Sequence, residues 1–149
     1  MQLHWQCLAF SALSLDELYD LLQLRDRVFV VEQDSVYGDV DGLDRQCLHV
    51  LGRDAAGALR GYARLLPPGL KYPSCAGIGR VVLDPAARGT GLGKALLRQA
   101  LDAALAHWPG PVRLSAQIDK QGLYEAFGFV VQGEPYDDGG ILHVDMLRA

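Results

Sequence analysis

The segment Arg88-Gly89-Thr90-Gly91-Leu92-Gly93 constrains this chain more than any other stretch. Before it lies a compact apolar run, Gly77–Leu83, closed by Asp84-Pro85. After it, Leu92, Leu96, Leu97, Ala100, Leu101, Ala104 and Leu105 recur on one helical face. The pattern predicts a buried strand, a glycine turn and a helix over 91–107, stopped by Trp108-Pro109-Gly110-Pro111. The first N–H groups of a helix lack intrahelical acceptors, and the helix dipole adds partial positive charge there. Glycines let backbone approach a ligand without Cβ interference. Arg88 and Lys94 flank the turn and can add charge-assisted contacts, so the segment reads as an anion site of the phosphate type.

Two familiar phosphate loops do not fit. A Walker loop needs GxxxxGK[ST], but Ala95 follows Gly93-Lys94 and Arg88 occupies the first glycine position. A dinucleotide loop needs GxGxxG directly after the first strand of a βαβ unit. Here the spacing is GxGxG, and several strands precede it.

The remaining sequence predicts strands near 3–10, 48–53, 58–66 and 112–116, with two more at 129–132 and 141–147. Ser14 with Glu17 forms a capping box before a helix expected over 15–31. A short helix over 120–127 ends at Gly128. Residues 33–46 form an acid-rich loop, and the last two strands turn at Tyr136–Gly140. The order β-α-β-β-β-α-β-α-β-β predicts an α/β (α+β) fold, a mixed sheet with helices on both faces, in one domain over 1–149.

With 14 basic against 18 acidic residues, the net charge of −4 disfavours nucleic acid and anionic membranes as partners. No apolar stretch reaches the roughly 20 residues of a membrane span. The start Met1-Gln2-Leu3-His4-Trp5 lacks signal-peptide character, so a cytoplasmic location is expected. Cys7, Cys47 and Cys75 show no pairing or metal spacing. Asp39-Val40-Asp41-Gly42 lacks the glycine and glutamate positions of a calcium loop. No metal is expected.

The loop fits Arg-x-x-Gly-x-Gly at Arg88, Gly91 and Gly93, and Leu123-Tyr124-Glu125-Ala126-Phe127-Gly128-Phe129 follows downstream. Together these motifs resemble the GNAT superfamily of N-acetyltransferases, over nearly the whole chain. Arg25-x-x-Val28-Phe29-Val30-Val31-Glu32-Gln33, then Tyr37, Asp39, Asp41, Asp44 and His49, resembles its ElaA-type branch. That region is similar in turn to acyl-homoserine-lactone synthases.

The resemblance implies acetyl-CoA as co-substrate, with its pyrophosphate on the backbone of Arg88, Gly89, Thr90, Gly91, Leu92 and Gly93 and near Lys94. The pantetheine arm would pair with Val81, Val82 and Leu83 like an added strand, and the Val82 N–H would polarise the thioester carbonyl. Tyr124 would be the general acid that protonates the leaving thiolate. Gln117 stands where the family often has Asn, which puts its pantetheine contact in question. For the base, Glu32 comes first and His49 second, because an unperturbed imidazole titrates near neutral pH. His143 is third.

Arg25, Glu32, Gln33, Tyr37 and Asp41 would line the acceptor side. The acids there would draw a cationic amine, with Arg25 holding the carboxylates or clamping an acceptor carboxylate. The expected acceptor is a small-molecule or peptide amine. A longer or carrier-bound acyl donor, or a CoA-binding regulatory module, are the competing readings. Arg60, Arg64, Lys71 and Arg80 are too scattered in sequence for an evident carrier-docking patch. Exposed late strands would allow a homodimer.

Overall fold

The computed structural model describes residues 1–149. Seven strands form one sheet in the order β1-β2-β3-β4-β5-β7-β6. They are β1 (His4–Ala9), β2 (Leu48–Arg53), β3 (Leu59–Leu66), β4 (Ala76–Leu83), β5 (Val112–Gln117), β6 (Val130–Asp138) and β7 (Ile141–Arg148). Helices α1 (Leu15–Arg25), α2 (Leu92–His107) and α3 (Gln121–Glu125) complete the predicted order.

Alternation along the strands explains the layers. Tyr62 and Val82 face one way and pack with Leu21, Leu24 and Val28 of the first helical segment. Ala63, Leu65 and Ile78 face the other way and bury Leu96, Leu97, Ala100 and Leu101 of α2. A two-sided sheet needs apolar residues at consecutive strand positions, as at Tyr62-Ala63 and Leu65-Leu66 of β3 and Val81-Val82-Leu83 of β4.

The Ser14–Glu17 capping box forms in both directions, at 3.0 and 2.9 Å. The first helix departs from expectation at its end. After Arg25 the chain widens into a π-helical stretch, Asp26–Glu32, in which Gln33 N–H reaches back to the Val28 carbonyl and Ser35 N–H to that of Val30. A π turn rotates the following side chains relative to an α-helix. Here it brings Phe29, Glu32 and Gln33 to one cleft. The last hairpin also differs. β6 runs on to Asp138, so only Gly139-Gly140 make the turn, both with positive φ.

Two irregularities shape the centre. β4 and β5 pair in parallel only at Ala76–Val112 and Gly77–Arg113, then part. Against β3, β4 carries an extra residue between Gly79 and Val82, a bulge in which Arg80 adopts φ 49°. That conformation costs a non-glycine residue energy and must be held by its surroundings. Arg80 Nε lies 2.7 Å from Asp39 Oδ1, and its Nη2 donates to the Asp39 carbonyl at 2.8 Å.

Arg80 belongs to a larger network. Arg25, fully buried, donates to Asp39 and Asp44 at 2.7 Å each. Arg64, also buried, donates to Asp41 at 2.7 Å and Asp44 at 3.0 Å. These interlocked ion pairs pin the 33–46 segment over the sheet. Burial opposes ionisation of Asp44, but the hydrogen bond and charge of Arg25, joined by Arg64, outweigh it and hold its carboxyl below the usual range. Asp41 follows the same balance, with Arg64 the main partner.

Removing one partner of a buried ion pair leaves the other uncompensated, which costs about 3–5 kcal/mol. Arg25→Met is therefore expected to lower the unfolding free energy by about that amount. Because the folded pKa values of Asp41 and Asp44 lie below their unfolded ones, the network's stability is present above roughly pH 4 and fades as pH falls toward the folded values. Denaturant midpoints across pH 2–7 check both: the wild type declines below about pH 4, and Arg25→Met declines less steeply.

Candidate active site

A cleft of about 660 Å³ opens where β4 and β5 part. Ile78–Leu83 form one wall, Ser115 and Gln117 the other. Gly93 and Leu96 of α2 and Leu123 and Tyr124 of α3 line the donor half. The π stretch and the 37–41 segment cover the remaining side.

The parted strands leave a backbone edge without a partner. Its polarity follows from the ladder. Asp84 N–H donates to the Arg60 carbonyl at 2.8 Å, and the register then pairs Gly61 with Leu83 and Tyr62 with Val82. Hydrogen-bonded pairs alternate along an antiparallel ladder, so Val82 gives its N–H and C=O to β3. Leu83 therefore turns its own toward the cleft, and Val81, within the bulge, has no register partner on β3. The expectation for a Val82 N–H at the thioester is corrected on this ground, and the side chain of Val82 is buried toward α1.

At one end stands the glycine loop. Gly89 and Gly91 have φ of 77° and 78°, a region that an L side chain rarely adopts. Gly91 is the N-cap of α2 and supplies no side-chain acceptor, and no acid lies in the first turn. The helix start therefore presents free N–H groups to an incoming anion. Thr90 Oγ1 donates to the Ala87 carbonyl at 2.7 Å, and the Leu92 side chain is buried beside Leu3 and Ala87. Both can offer only backbone. Lys94 is exposed and lies outside the cleft lining, as do Gly89, Thr90, Gly91 and Leu92. Gly93 lines the cleft.

Arg88 is already engaged: its Nη1 donates to Glu32 Oε1 at 2.7 Å. That hydrogen bond holds the Glu32 carboxyl below its usual range. Glu32 thus lines the cleft as a carboxylate, but its basicity is reduced while Arg88 stays. Gln33, Tyr37 and Asp41 line the same cleft.

Tyr124 is 7% exposed, lines the cleft, and meets Phe129 edge to face at 6.1 Å. Burial pushes its phenol up to about 12, so the proton stays on at neutral pH. No protein group is hydrogen-bonded to its hydroxyl. Gln117 lies on the opposing strand, also without a protein partner.

His49 and Arg25 are not presented to the cleft. His49 is fully buried; its Nδ1 lies 2.6 Å from the Tyr62 hydroxyl and its Nε2 2.9 Å from the Asp44 carbonyl. The carbonyl can only accept, so Nε2 donates and Nδ1 accepts from Tyr62. Burial lowers the pKa further. Both nitrogens being spent, His49 is a structural histidine and is set aside as a base. Arg25 is buried in the ion network, so it holds Asp39 and Asp44 and cannot clamp an acceptor. His143 reaches the cleft, with Nδ1 2.8 Å from the Ile141 carbonyl and its ring stacked on Tyr136.

Among the lining residues that the sequence did not assign to the site are Arg80, Tyr72 and Asp138. Arg80 reaches the site through the bulge, and Asp138 through the unexpected length of β6. The acids also read differently in place. Asp39, Asp41 and Asp44 are matched by Arg25, Arg64 and Arg80, so the predicted acidic mouth is largely neutralised.

A sequence profile described as the GNAT acetyltransferase domain matches residues 24–148. Protein ElaA of Escherichia coli is 42% identical over 149 residues, covering 98% of this chain and 96% of its own length. Its crystal structure overlays with a TM-score of 0.92 over 99% of this chain and 100% of that one. An acyl-CoA N-acyltransferase from Pseudomonas aeruginosa is 46% identical, with a TM-score of 0.93 over 99% of this chain and 100% of its own. The acyl-homoserine-lactone synthase LasI, at 16% identity and a TM-score of 0.80, shares the fold.

The Arg88–Glu32 pair sets up a competition, because an anion in the glycine loop must draw Arg88 from Glu32. Glu32→Gln removes the competitor. Titration calorimetry with CoA is expected to give a several-fold tighter Kd for this variant, the scale of an exposed ion pair. An unchanged or weaker Kd would mean that Arg88 does not serve the loop.

Proposed function

We propose that this chain, which belongs to the GNAT acetyltransferase family, moves an acetyl group from acetyl-CoA directly onto the amine of a small molecule or peptide. Acyl-CoA is the co-substrate of that family. The observation that carries the reading is the parting of β4 and β5, which leaves strand-pairing groups facing a cleft with Tyr124 in its lining.

The pantetheine arm pairs with the backbone of Val81 and Leu83, while the pyrophosphate takes the free N–H groups of Gly89–Gly93. Gln117 faces the arm from β5. The thioester carbonyl then lies at the bulge, where the Val81 N–H stabilises the oxyanion as it forms. Arg88 turns to the phosphates and releases Glu32, whose basicity rises as its partner leaves. Glu32 removes the proton of the acceptor ammonium, directly or through a water.

The amine nitrogen then attacks the carbonyl carbon. A C–N bond forms, and the collapsing intermediate breaks the C–S bond. The electron pair leaves on sulfur, and Tyr124 supplies its proton. After attack the nitrogen gives up a second proton, which returns through solvent to the tyrosinate, while Glu32 releases the first to bulk, so the overall exchange is ammonium plus acetyl-CoA giving amide, CoA thiol and one proton.

Carrier-bound acyl donors are less well supported. Arg60 is tied to Asp54 and Asp84, Arg64 is buried, and Arg80 is paired, so these cations do not form a free docking patch.

Tyr124→Phe keeps the packing against Phe129 and removes the acid. Release of CoA thiol from acetyl-CoA across an amine panel is expected to fall about 100-fold or more in kcat. Below about pH 11 the wild-type rate should show no ionisation attributable to this phenol. Undiminished turnover in the variant would remove Tyr124 from the mechanism.

A further inference from the structure

Lys71 lines the acceptor half of the cleft. It sits in the β3–β4 connection, which is held in shape by Gly69 N–H donating to the Tyr72 carbonyl at 2.9 Å and by the Tyr72–Cys75 bridge. The Tyr72 ring is fixed against the strand: a Cβ on Gly77 would come within 3.0 Å of it. The Lys71 ammonium lies 5.5 Å from the centre of that ring. The lysine is thus placed on a braced loop rather than on a free tail.

Its electrostatic surroundings are unusual. Both guanidiniums near it have carboxylate partners: Arg64 has Asp41 and Asp44, and Arg80 has Asp39 and Asp41. Lys71 has none within ion-pair distance. Its charged neighbours are Arg80 and Arg64, which repel it, and Asp41 and Asp138, which attract it. Asp41 is spent on Arg64, and Asp138 stands on β6. Lys71 is exposed overall, but partial desolvation at the cleft wall, joined by the two guanidiniums, lowers its pKa. Arg64 is itself a cleft-lining residue whose buried Nε has no acceptor. A cation set among cations, at the wall of a cleft, is complementary to an anion brought by the ligand.

The cleft is also bridged on this side. The Tyr37 ring approaches within 3.8 Å of where a Cβ on Gly139 would lie, so the 33–46 segment and the β6–β7 turn meet. That bridge suits a compact ligand better than a side chain on a folded protein surface.

Resting on the transfer reading above, we propose that the acceptor carries a carboxylate beside its amine, as a free amino acid or a similarly compact amino carboxylate does, and that Lys71 receives the carboxylate. Arg80 and Arg64 add to the positive field without giving up their own partners. This reverses the leaning toward a cationic acceptor, because the acids that suggested it are neutralised by arginines.

The test uses the full chain and matched acceptors: each coded amino acid, its carboxamide, and the amine left by removing the carboxylate. The wild type is expected to prefer the acid form by about 10-fold or more in kcat/KM. Lys71→Gln is expected to erase that preference through the acceptor KM, with kcat and the KM for acetyl-CoA unchanged, and Lys71→Arg to restore part of it. Asp138→Asn controls for closure across the cleft, and should leave or increase the preference. Equal use of acid, amide and amine by the wild type would overturn the proposal, as would a preference that survives Lys71→Gln. Should no amine be acetylated, the transfer reading fails on its own. Calorimetry of N-acetyl amino acids against the CoA-saturated protein then decides Lys71: binding lost in Lys71→Gln supports the site, and absent binding overturns it.

Discussion

Everything in this structure turns on two strands that stop pairing. β4 and β5 share two residue pairs and then diverge, so a sheet that could bury its backbone groups leaves one interior edge open. An unpaired interior edge is costly unless something strand-like fills it. The extended pantetheine arm of a CoA thioester has alternating amide donors and acceptors and can do that. The bulge at Arg80 marks where the open edge changes direction, and irregular strand positions of this kind commonly re-aim groups at a site.

The bulge needs support, and the buried ion network supplies it. Arg80 holds a left-handed conformation while Asp39 and Asp41 grip its guanidinium. Those acids are set in turn by Arg25 and Arg64. The cluster thus ties three distant parts of the chain together: the end of α1, the 33–46 segment and the central strands. It also explains why an acid-rich segment gives a site of little net negative charge. The chain folds its acids inward against arginines and leaves Lys71 without a carboxylate partner at the cleft wall.

The sequence made the layers and the donor loop legible, because each rests on local chemistry. The capping box, the helical period of α2 and the glycine spacing are short-range patterns. The Gly128 stop after α3 is another, with Phe129 N–H reaching back to the Tyr124 carbonyl. What remained hidden depends on long-range registration. No residue pattern announces a π turn, so a helix expected over 15–31 gives no sign that Glu32 meets Arg88. The orientation of Val81, Val82 and Leu83 depends on which of their neighbours pair with β3. His49 has the pKa expected of a base in isolation, but tertiary packing gives both its nitrogens away. Reading an ionisable residue from its type alone misses the partner that consumes it.

The central claim is that the open β4 edge is the acyl-CoA site. A crystal structure of the chain with CoA tests it most directly. The account predicts the pantetheine amides hydrogen-bonded to backbone groups of Val81 and Leu83, the pyrophosphate on the N–H groups of Gly89–Gly93, and Arg88 withdrawn from Glu32. CoA bound away from the β4–β5 gap, or an arm that leaves the Leu83 backbone unpaired, would contradict it.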